Sequence, residues 1–287
     1  MSTSLIILHI AVFLFGFSAL FGKLILQDAL VIVFGRTLIG AISLFSVLQY
    51  SKIKIFIKSK KDFYTLMIAG VLFAIHWFTF FKSIQLSTVA IGALTFSTYP
   101  VFVTFLEPYF FKQKLRLFDV VIAMITLFGV FLIVPKFDIA DNFTWGVIYG
   151  LFAAISGAYL SILCKMCADK YSSALISFYQ CAICSTVLLP FVIWLKPVVG
   201  VKDVFFIILL GTVFTALSGT LFIKSLKSIT VQLASITSSL EPVYAIIFSV
   251  FLLNEIPSYR TILGGLVILG SVIMATLNAK ENIYIEH

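Results

Sequence analysis

Ten apolar runs, each close to the length that crosses a bilayer, dominate this chain of 287 residues. A spanning helix needs roughly 20 mostly apolar residues, and only short gaps separate the runs. Charged residues make up 11% of the chain, whereas a soluble domain carries about 25%, so lipid must be the solvent for much of the surface. The sequence therefore predicts an all-α membrane protein with ten transmembrane helices, at about 4–22, 29–49, 63–82, 88–110, 117–134, 144–163, 172–194, 204–225, 232–253 and 259–277.

The lysines and arginines are distributed unevenly between alternate gaps. Positive charge in membrane proteins collects in the cytoplasmic loops. If the N-terminus is inside, most of the 20 basic residues lie on the inner side, and the densest cluster is SKIKIFIKSKK at 51–61. We therefore expect both termini to be cytoplasmic, and the short loops suggest a bacterial inner membrane. The net charge of +8 follows from the same rule, and no nucleic-acid motif accompanies it, so nucleic acid is not an expected partner.

The chain also repeats itself at a constant offset, which brings Phe80 onto Phe222 and Pro100 onto Pro242. The stretch FFKSIQLSTVAIGALTFSTYPV at 80–101 matches FIKSLKSITVQLASITSSLEPV at 222–243 in nine positions without a gap, including a lysine and a proline. Each half would hold five helices. Because five is odd, the second half would start on the opposite side of the membrane, as in the inverted repeats of secondary transporters. The sequence predicts two inverted five-helix repeats, 1–137 and 138–287.

Pro100 and Pro242 each lie near the middle of an apolar run. Proline lacks an N–H and frees the carbonyl four residues earlier. A freed carbonyl cannot face lipid and must face protein or water. The pattern indicates either a solute site at two broken helices or two kinks whose carbonyls are satisfied by nearby hydroxyls. The hydroxyl candidates for the site are Thr95, Ser238 and Ser239.

Two ionisable side chains lie well inside apolar runs. Glu241 falls near the bilayer midplane, where a charge costs roughly 2.5–3.5 kcal/mol or more. It is either a carboxylate that couples transport to protons or recognises a cation, or a structural group bonded to backbone. His76 shares a helical face with Phe73, Trp77 and Phe80. That face is either a stacking wall for a solute, with the imidazole as its polar group, or an aromatic packing face.

Other polar residues are interpreted as structural. We expect Glu107 to be a solvated carboxylate at the cytoplasmic end of its helix. Arg36 is expected to cap carbonyls or to pair with a carboxylate such as Asp28, with attraction of an anionic group as the alternative. The four cysteines form two C-x-x-C pairs, which in a spanning helix suit packing better than metal binding. No catalytic triad, P-loop or metallohydrolase motif occurs, so we expect neither an enzyme, a metal site nor a cofactor.

Three longer stretches are FGRTLIGAISL, STYPVFVTFLEPYFFKQKLRLFDVVIAMITLFGVFLIV and SLEPVYAIIFSVFLLNEIPSYRTILGGLVILGSVIM. Together they resemble the drug/metabolite transporter superfamily, EamA type. The resemblance covers essentially the whole chain. It departs from the family pattern where the first half has Lys112-Gln113 and the second half has Asn254-Glu255, so the family's acidic residue is lost from the first half.

The resemblance implies a central cavity, lined in part by a histidine with aromatic neighbours on the third helix. The motif HWFTFF places His76 at that position. It also implies export of amino acids, other metabolites or toxic compounds, although some relatives import. The substrate-binding residues expected from the residues and the resemblance together are His76, Trp77, Phe80, Thr95, Tyr99, Tyr159, Ser218, Ser238, Ser239 and Glu241, with helix breaks at Pro100 and Pro242.

We therefore expect a secondary transporter that works by alternating access, with the cavity between its two repeats. Its partners would be the lipid bilayer and a small solute such as an amino acid, with protons as a candidate coupling ion and the oligomeric state left open. Two alternatives remain. One is an importer of a nucleotide-like or cofactor metabolite with the same fold, and the other is a membrane scaffold that transports nothing.

Overall fold

Every regular element in the described chain is a helix. Among the described residues, eight helices are long and apolar enough to cross a membrane. Two shorter apolar helices, Val120–Ile133 and Tyr259–Ser271, fall within the two remaining predicted runs. The predicted all-helical architecture is confirmed, while the count of ten spans stays a prediction. The computed structural model describes residues 3–57, 59–112, 117–133, 138 and 140–285.

The first half contains two composite spans, each made of two consecutive helices. One extends over Thr3–Leu24 and the other over Val89–Phe111, where the chain turns at Ser97 and Thr98 just before Pro100. The helices are α1 (Thr3–Ser18), α2 (Phe21–Leu24), α3 (Ala29–Tyr50), α4 (Lys60–Leu86), α5 (Val89–Phe96), α6 (Tyr99–Phe111) and α7 (Leu117–Ile133).

The second half also contains two composite spans, of which Val231–Leu253 corresponds in the repeat to Val89–Phe111. The span Val201–Leu226 includes one π-helical segment, and the span Val231–Leu253 turns at Ser239 and Leu240 just before Pro242. The elements are α8 (Asn142–Ala168), α9 (Ser173–Leu195), α10 (Val201–Gly211), the π-helix (Thr212–Leu217), α11 (Ser218–Leu226), α12 (Val231–Ser238), α13 (Glu241–Leu253) and α14 (Tyr259–Ile285).

The two halves use the same helix caps at equivalent positions of the repeat. Thr88 accepts a hydrogen bond from the N–H of Ile91 at the start of α5, and Thr230 accepts one from Leu233 at the start of α12. These hydroxyls satisfy N–H groups that have no partner inside the helix. Lys112 and Asn254 end α6 and α13, each in the left-handed region with φ of 55°. Local backbone geometry is therefore repeated as well as sequence.

Helix packing is reciprocal between the halves. Helix α4 packs along α8, and its counterpart α11 packs along α1. Helix α5 packs against α13, and α6 packs against α12. Helices α3 and α9 pack on each other, as do α7 and α14. Each of these contacts thus has a counterpart in which the roles of the halves are exchanged.

Two lysines cap helix C-termini at equivalent positions. The Nζ of Lys23 donates to the carbonyl oxygen of Ser87 at 2.9 Å, at the end of α4. The Nζ of Lys165 donates to the carbonyl oxygen of Leu226 at 2.6 Å, at the end of α11. A cation at this end of a helix is favoured because the last carbonyls lack intrahelical partners. Each lysine therefore fixes the first span of its half against the third.

At one end of the bundle, Asp62 connects the two halves by hydrogen bonds. It is the third residue of α4. Its carboxylate accepts a hydrogen bond from Nζ of Lys170 at 2.8 Å and one from the hydroxyl of Tyr171 at 3.0 Å. Both partners lie in the connection between α8 and α9, in the second half. This contact, the Asp62 latch, joins the two halves.

The opposite end carries an equivalent contact, the Asp203 latch. Asp203 is the third residue of α10 and accepts from the N–H of Leu26 at 3.1 Å and from Nε2 of Gln27 at 3.0 Å. Leu26 and Gln27 lie between α2 and α3, in the first half. The two latches lie at opposite ends of the bundle. Asp62 is at the start of α4, whereas the connection between α2 and α3, which Asp203 contacts, lies next to the end of α4.

The prediction of a solvated Glu107 is wrong. Only 4% of this residue is exposed, and its carboxylate accepts from the N–H groups of Val231 at 3.0 Å and Gln232 at 2.7 Å. It therefore satisfies the first N–H groups of α12, which have no partners inside that helix. At the other end, Glu255 accepts from the N–H of Val89 at 2.9 Å, at the start of α5. Each half thus caps a broken helix of the other.

Candidate functional site

A cavity lies between the two halves and outlines about 710 Å³ of empty space, open solvent included. Helices α1, α3, α4, α8, α9 and α11 contribute to its wall, together with the π-helix and the residues next to both helix breaks. The wall is mostly aromatic and aliphatic, with a few polar groups, which is the usual composition of a small-molecule site. It is lined by Phe15, Arg36, Phe73, His76, Trp77, Phe80, Phe96, Tyr99, Gly157, Leu160, Ser161, Cys164, Gln180, Phe214, Thr215, Gly219, Phe222, Ile223, Ser238 and Glu241.

His76 is held in a fixed position on α4. Its Nδ1 lies 2.8 Å from the carbonyl oxygen of Ala153, which can only accept, so Nδ1 donates this bond and Nε2 is the ring nitrogen that remains. Its ring centre lies 5.2 Å from that of Phe96 and 5.0 Å from that of Trp77. The imidazole therefore presents one polar atom within an aromatic wall.

The same wall continues to the first helix break. The rings of Phe96 and Tyr99 stack at 5.6 Å, and Phe80 meets Phe96 edge-on at 5.5 Å. The hydroxyl of Tyr99 donates to the hydroxyl of Ser161 on α8 at 2.7 Å. This bond fixes the first residue of α6 against the second half, so the aromatic wall crosses the boundary between the halves.

Arg36 is fully buried on α3 and is bonded to the π-helix. Its Nε donates to the hydroxyl of Thr215 at 2.7 Å, and its Nη2 donates to the carbonyl oxygen of Phe214 at 2.9 Å. Thr215 in turn donates to the carbonyl of Leu210, five residues back, as a π-helix allows. The guanidinium carbon lies 3.7 Å from the ring centre of Trp77, a cation–π contact.

The expected pairing of Arg36 with Asp28 is wrong, whereas its bond to a carbonyl agrees with the capping interpretation. Asp28 accepts from the N–H of Leu30 as the cap of α3 and pairs with Nζ of Lys82 at 2.9 Å. A carboxylate at the start of α3 cannot serve both a helix end and a side chain two turns further along. Arg36 therefore has no carboxylate partner among the described residues.

Glu241 lines the cavity at the second helix break. It is the first residue of α13, with Pro242 next, and only 3% of it is exposed. No described residue donates a hydrogen bond to its carboxyl, and it forms no ion pair with Arg36, although both line the same cavity. The cavity thus contains one acidic and one basic group that do not neutralise each other by contact.

Four of the residues predicted to bind a solute do not line this cavity. The hydroxyl of Thr95 donates to the carbonyl of Ile91, that of Ser239 lies 3.4 Å from the carbonyl of Ser235, and Ser218 is buried on α11. Tyr159 is 38% exposed and packs edge-on against Phe110. The structure brings together the other six: His76, Trp77, Phe80, Tyr99, Ser238 and Glu241.

Gln180 and Thr215 also line the site, although the sequence pattern did not predict them there. Gln180 donates from Nε2 to the sulfur of Cys164 at 2.7 Å, across α9 and α8. An amide in the middle of an apolar run was a usable signal for Gln180, because such a group needs a partner away from lipid. Thr215 gives no such signal, since a threonine within a helix can bond its own backbone.

The four cysteines are all unpaired and buried. Within the described ranges, no three histidine, cysteine, aspartate or glutamate side chains are grouped so that they could hold a metal ion. Their positions are those of small packing residues, with Cys164 also on the cavity wall.

The EamA-like transporter family matches this chain over residues 2–134 and 144–277. An uncharacterized transporter of Archaeoglobus fulgidus is 28% identical over 197 residues, 69% of this chain and 70% of that protein. Pseudopaline exporter CntI of Pseudomonas aeruginosa is 21% identical over 250 residues, 87% of this chain and 86% of its own. A solved crystal structure is similar in fold, with a TM-score of 0.73 over 98% of this chain and 99% of its own at 18% identity. The two matched segments extend over most of the sequence, and the chain belongs to the EamA-like transporter family.

Proposed function

We propose that this multi-pass membrane protein is a secondary active exporter of small metabolites such as amino acids. The observation that carries the proposal is the cavity between the halves, where Arg36 and Glu241 lie without contacting each other. A zwitterionic or polar solute would satisfy both groups, and aromatic rings would hold its apolar part. The pseudopaline exporter among its relatives favours export. Transport, rather than catalysis, is what the family name describes.

The mechanism we propose is alternating access by ten helices arranged as two inverted repeats, 1–137 and 138–287. The repeated stretches at 80–101 and 222–243, the reciprocal packing of α5 with α13 and of α6 with α12, and the equivalent caps support it. Rocking of two such halves around a central site exposes it to each side in turn. The proposed orientation has both termini in the cytoplasm of a bacterial inner membrane, as the basic loops favour.

Two alternatives make different predictions. An importer of a nucleotide-like metabolite would use the same cavity, but a phosphate group would then lie beside Glu241, whose charge opposes it. A scaffold that transports nothing would have no need for an acid and a base inside a low-dielectric cavity, where each is costly. The separated charges therefore favour transport of a solute that is not a polyanion.

Gly219→Leu is expected to abolish solute flux while the protein still folds. Gly219 lines the cavity, and a β-carbon there would meet only the hydroxyl oxygen of Ser177, at 3.8 Å. Leucine is also more favourable than glycine in a helix, by roughly 0.5–1 kcal/mol. The side chain would therefore occupy the space of the solute without disturbing its helix. Flux of a panel of labelled metabolites into and out of liposomes measures the effect.

Gly270→Leu is the matched control. Gly270 lies within α14, outside the cavity, and a β-carbon there would meet no atom of the described residues within 4 Å. We expect this variant to transport like the wild type. If the wild type moves no metabolite of the panel, or if the two variants are equally active, the proposal of transport through this cavity is wrong.

A further inference from the structure

Arg36 is held in one orientation by two elements. Its Nε and Nη2 are bonded to the π-helix through Thr215 and Phe214, and the ring of Trp77 covers one face of the guanidinium. An arginine side chain that is already held in place loses little conformational entropy when it binds a ligand. Its planar guanidinium also matches the geometry of a carboxylate. The π-helical segment thus positions a charged group on the cavity wall.

This guanidinium forms no ion pair with any described carboxylate. Arg36 is 0% exposed, its Nη1 has no hydrogen-bond partner, and no described carboxylate lies within ion-pair distance. A buried charge without a counter-ion is strongly unfavourable. The indole nitrogen of Trp77, on the ring that covers Arg36, also lacks a partner. Two unsatisfied donors therefore lie beside each other next to the cavity.

We propose that Arg36 determines substrate specificity by serving as the counter-ion of a solute carboxylate. The inference rests on the proposed transport function and adds the class of solute: a monocarboxylate whose remainder is neutral or cationic. Because Nη1 is enclosed in this conformation, binding requires a small shift of the guanidinium against the Trp77 ring.

A monocarboxylate fits better than a phosphate or a dicarboxylate. Arg36 is the only lysine or arginine among the residues that line the cavity in the described chain, so a second negative charge would find no basic partner. Glu241 would repel that charge, and it would attract an amine on the same solute. The rings of Trp77 and Phe80 suit an apolar or flat remainder.

Trp77 offers a direct readout of this binding. The chain has three tryptophans, so a Trp145→Phe, Trp194→Phe background leaves Trp77 as the single emitter. The probes are 3-phenylpropionate and L-phenylalanine, which carry a carboxylate, and phenethylamine and L-phenylalaninamide, which do not. Purified protein is titrated with each probe in detergent, and the same four probes are tested for counterflow in liposomes.

We expect the carboxylate probes to change Trp77 emission saturably and the other two to do so at least about tenfold more weakly, because a bond between two charged groups is lost. Arg36→Lys keeps the positive charge but loses the planar guanidinium, whose paired N–H donors match a carboxylate. This variant should reduce carboxylate affinity by roughly tenfold. Lys227→Gln removes an exposed charge outside the cavity and should leave the affinity unchanged. Glu241→Gln should strengthen the response to 3-phenylpropionate, which has no amine, because the repelling carboxylate is lost.

Three results would overturn the inference. They are equal responses to carboxylate and carboxylate-free probes, no response to any of the four, and an Arg36→Lys variant that binds carboxylates like the wild type. Because emission is measured without transport, binding without flux would instead contradict the proposed function. Flux restricted to carboxylate-free solutes would leave that function standing and remove the role of Arg36.

Discussion

Glu241→Gln is expected to abolish the dependence of solute flux on a pH gradient while solute counterflow continues. The carboxyl lies on the cavity wall at the start of α13, and no described residue bonds to it. A proton that binds there when the cavity faces one side and leaves when it faces the other would couple the two movements. The amide keeps the shape of the side chain but cannot carry that proton, so binding should survive and coupling should not.

The measurement compares counterflow, which needs no driving force, with pH-driven transport in the same liposomes. Glu241→Asp retains a carboxyl and should keep a measurable pH dependence. A structural role predicts something else, namely a lower melting temperature in detergent and unchanged coupling in the protein that folds. If Glu241→Gln responds to the pH gradient like the wild type, the carboxyl is not the coupling group. His76, on the same wall, then becomes the candidate to test by His76→Gln.

Features that depend on local chemistry were accessible from the sequence. Proline lacks an N–H and frees the carbonyl four residues earlier, so Pro100 and Pro242 mark candidate helix breaks without knowledge of the fold, although Pro108 and Pro190 lie inside continuous helices. The repeat that brings these two prolines into register likewise needs only the sequence. The same holds for the aromatic face of α4, where His76, Trp77 and Phe80 follow the helical period. These three side chains all lie on the cavity wall.

Features that depend on distant partners were not accessible. Arg36 bonds to a residue 179 positions away, and Glu107 bonds to backbone 124 and 125 positions away. Nothing in the neighbouring sequence indicates these partners. Asp28 was the expected carboxylate for Arg36 because it is the nearest acidic residue in the sequence. A π-helix adds to the difficulty, because it shifts which side chains of its span face inward.

Tyr159 shows a different limit, the choice of helix face. Its aromatic ring, within an apolar run, made it a candidate for binding the solute. The residues of α8 that do line the cavity are Gly157, Leu160, Ser161 and Cys164, which follow the helical period. Tyr159 lies off this stripe and is partly exposed. In an apolar spanning helix, residue type alone does not tell the inward face from the outward one.

Asp62→Asn and Asp203→Asn are expected to shift the protein towards opposite open states. Each aspartate is the third residue of the third span in its half and holds a connection of the other half, at opposite ends of the bundle. In an alternating-access protein one end opens as the other closes. Removing one carboxylate weakens the closure of its own end only, since the amide has one acceptor oxygen for two donors. We expect the ratio of the two open states to change by roughly tenfold in each case, in opposite directions.

Distances between pairs of spin labels test this directly. Labels at Lys60→Cys and Asp169→Cys report on the Asp62 end, and labels at Leu26→Cys and Lys202→Cys report on the Asp203 end. These sites lie at the ends of the bundle, whereas the native cysteines are buried and should react poorly. With Asp62→Asn the long-distance population should grow at the first pair and shrink at the second, and with Asp203→Asn the reverse should occur.

Asp141→Asn serves as the control for the two latches. Asp141 also lies at a helix start, but it caps the N–H of Phe143 within its own half and, among the described residues, makes no side-chain bond across the halves. Both label pairs should keep their wild-type distances in this variant. If Asp62→Asn and Asp203→Asn open the same end, the latches do not control access. If both lower the melting temperature without changing either distance, they only stabilise the fold. The experiment needs no known solute, because the equilibrium between the two open states of the bundle can be measured on the protein alone.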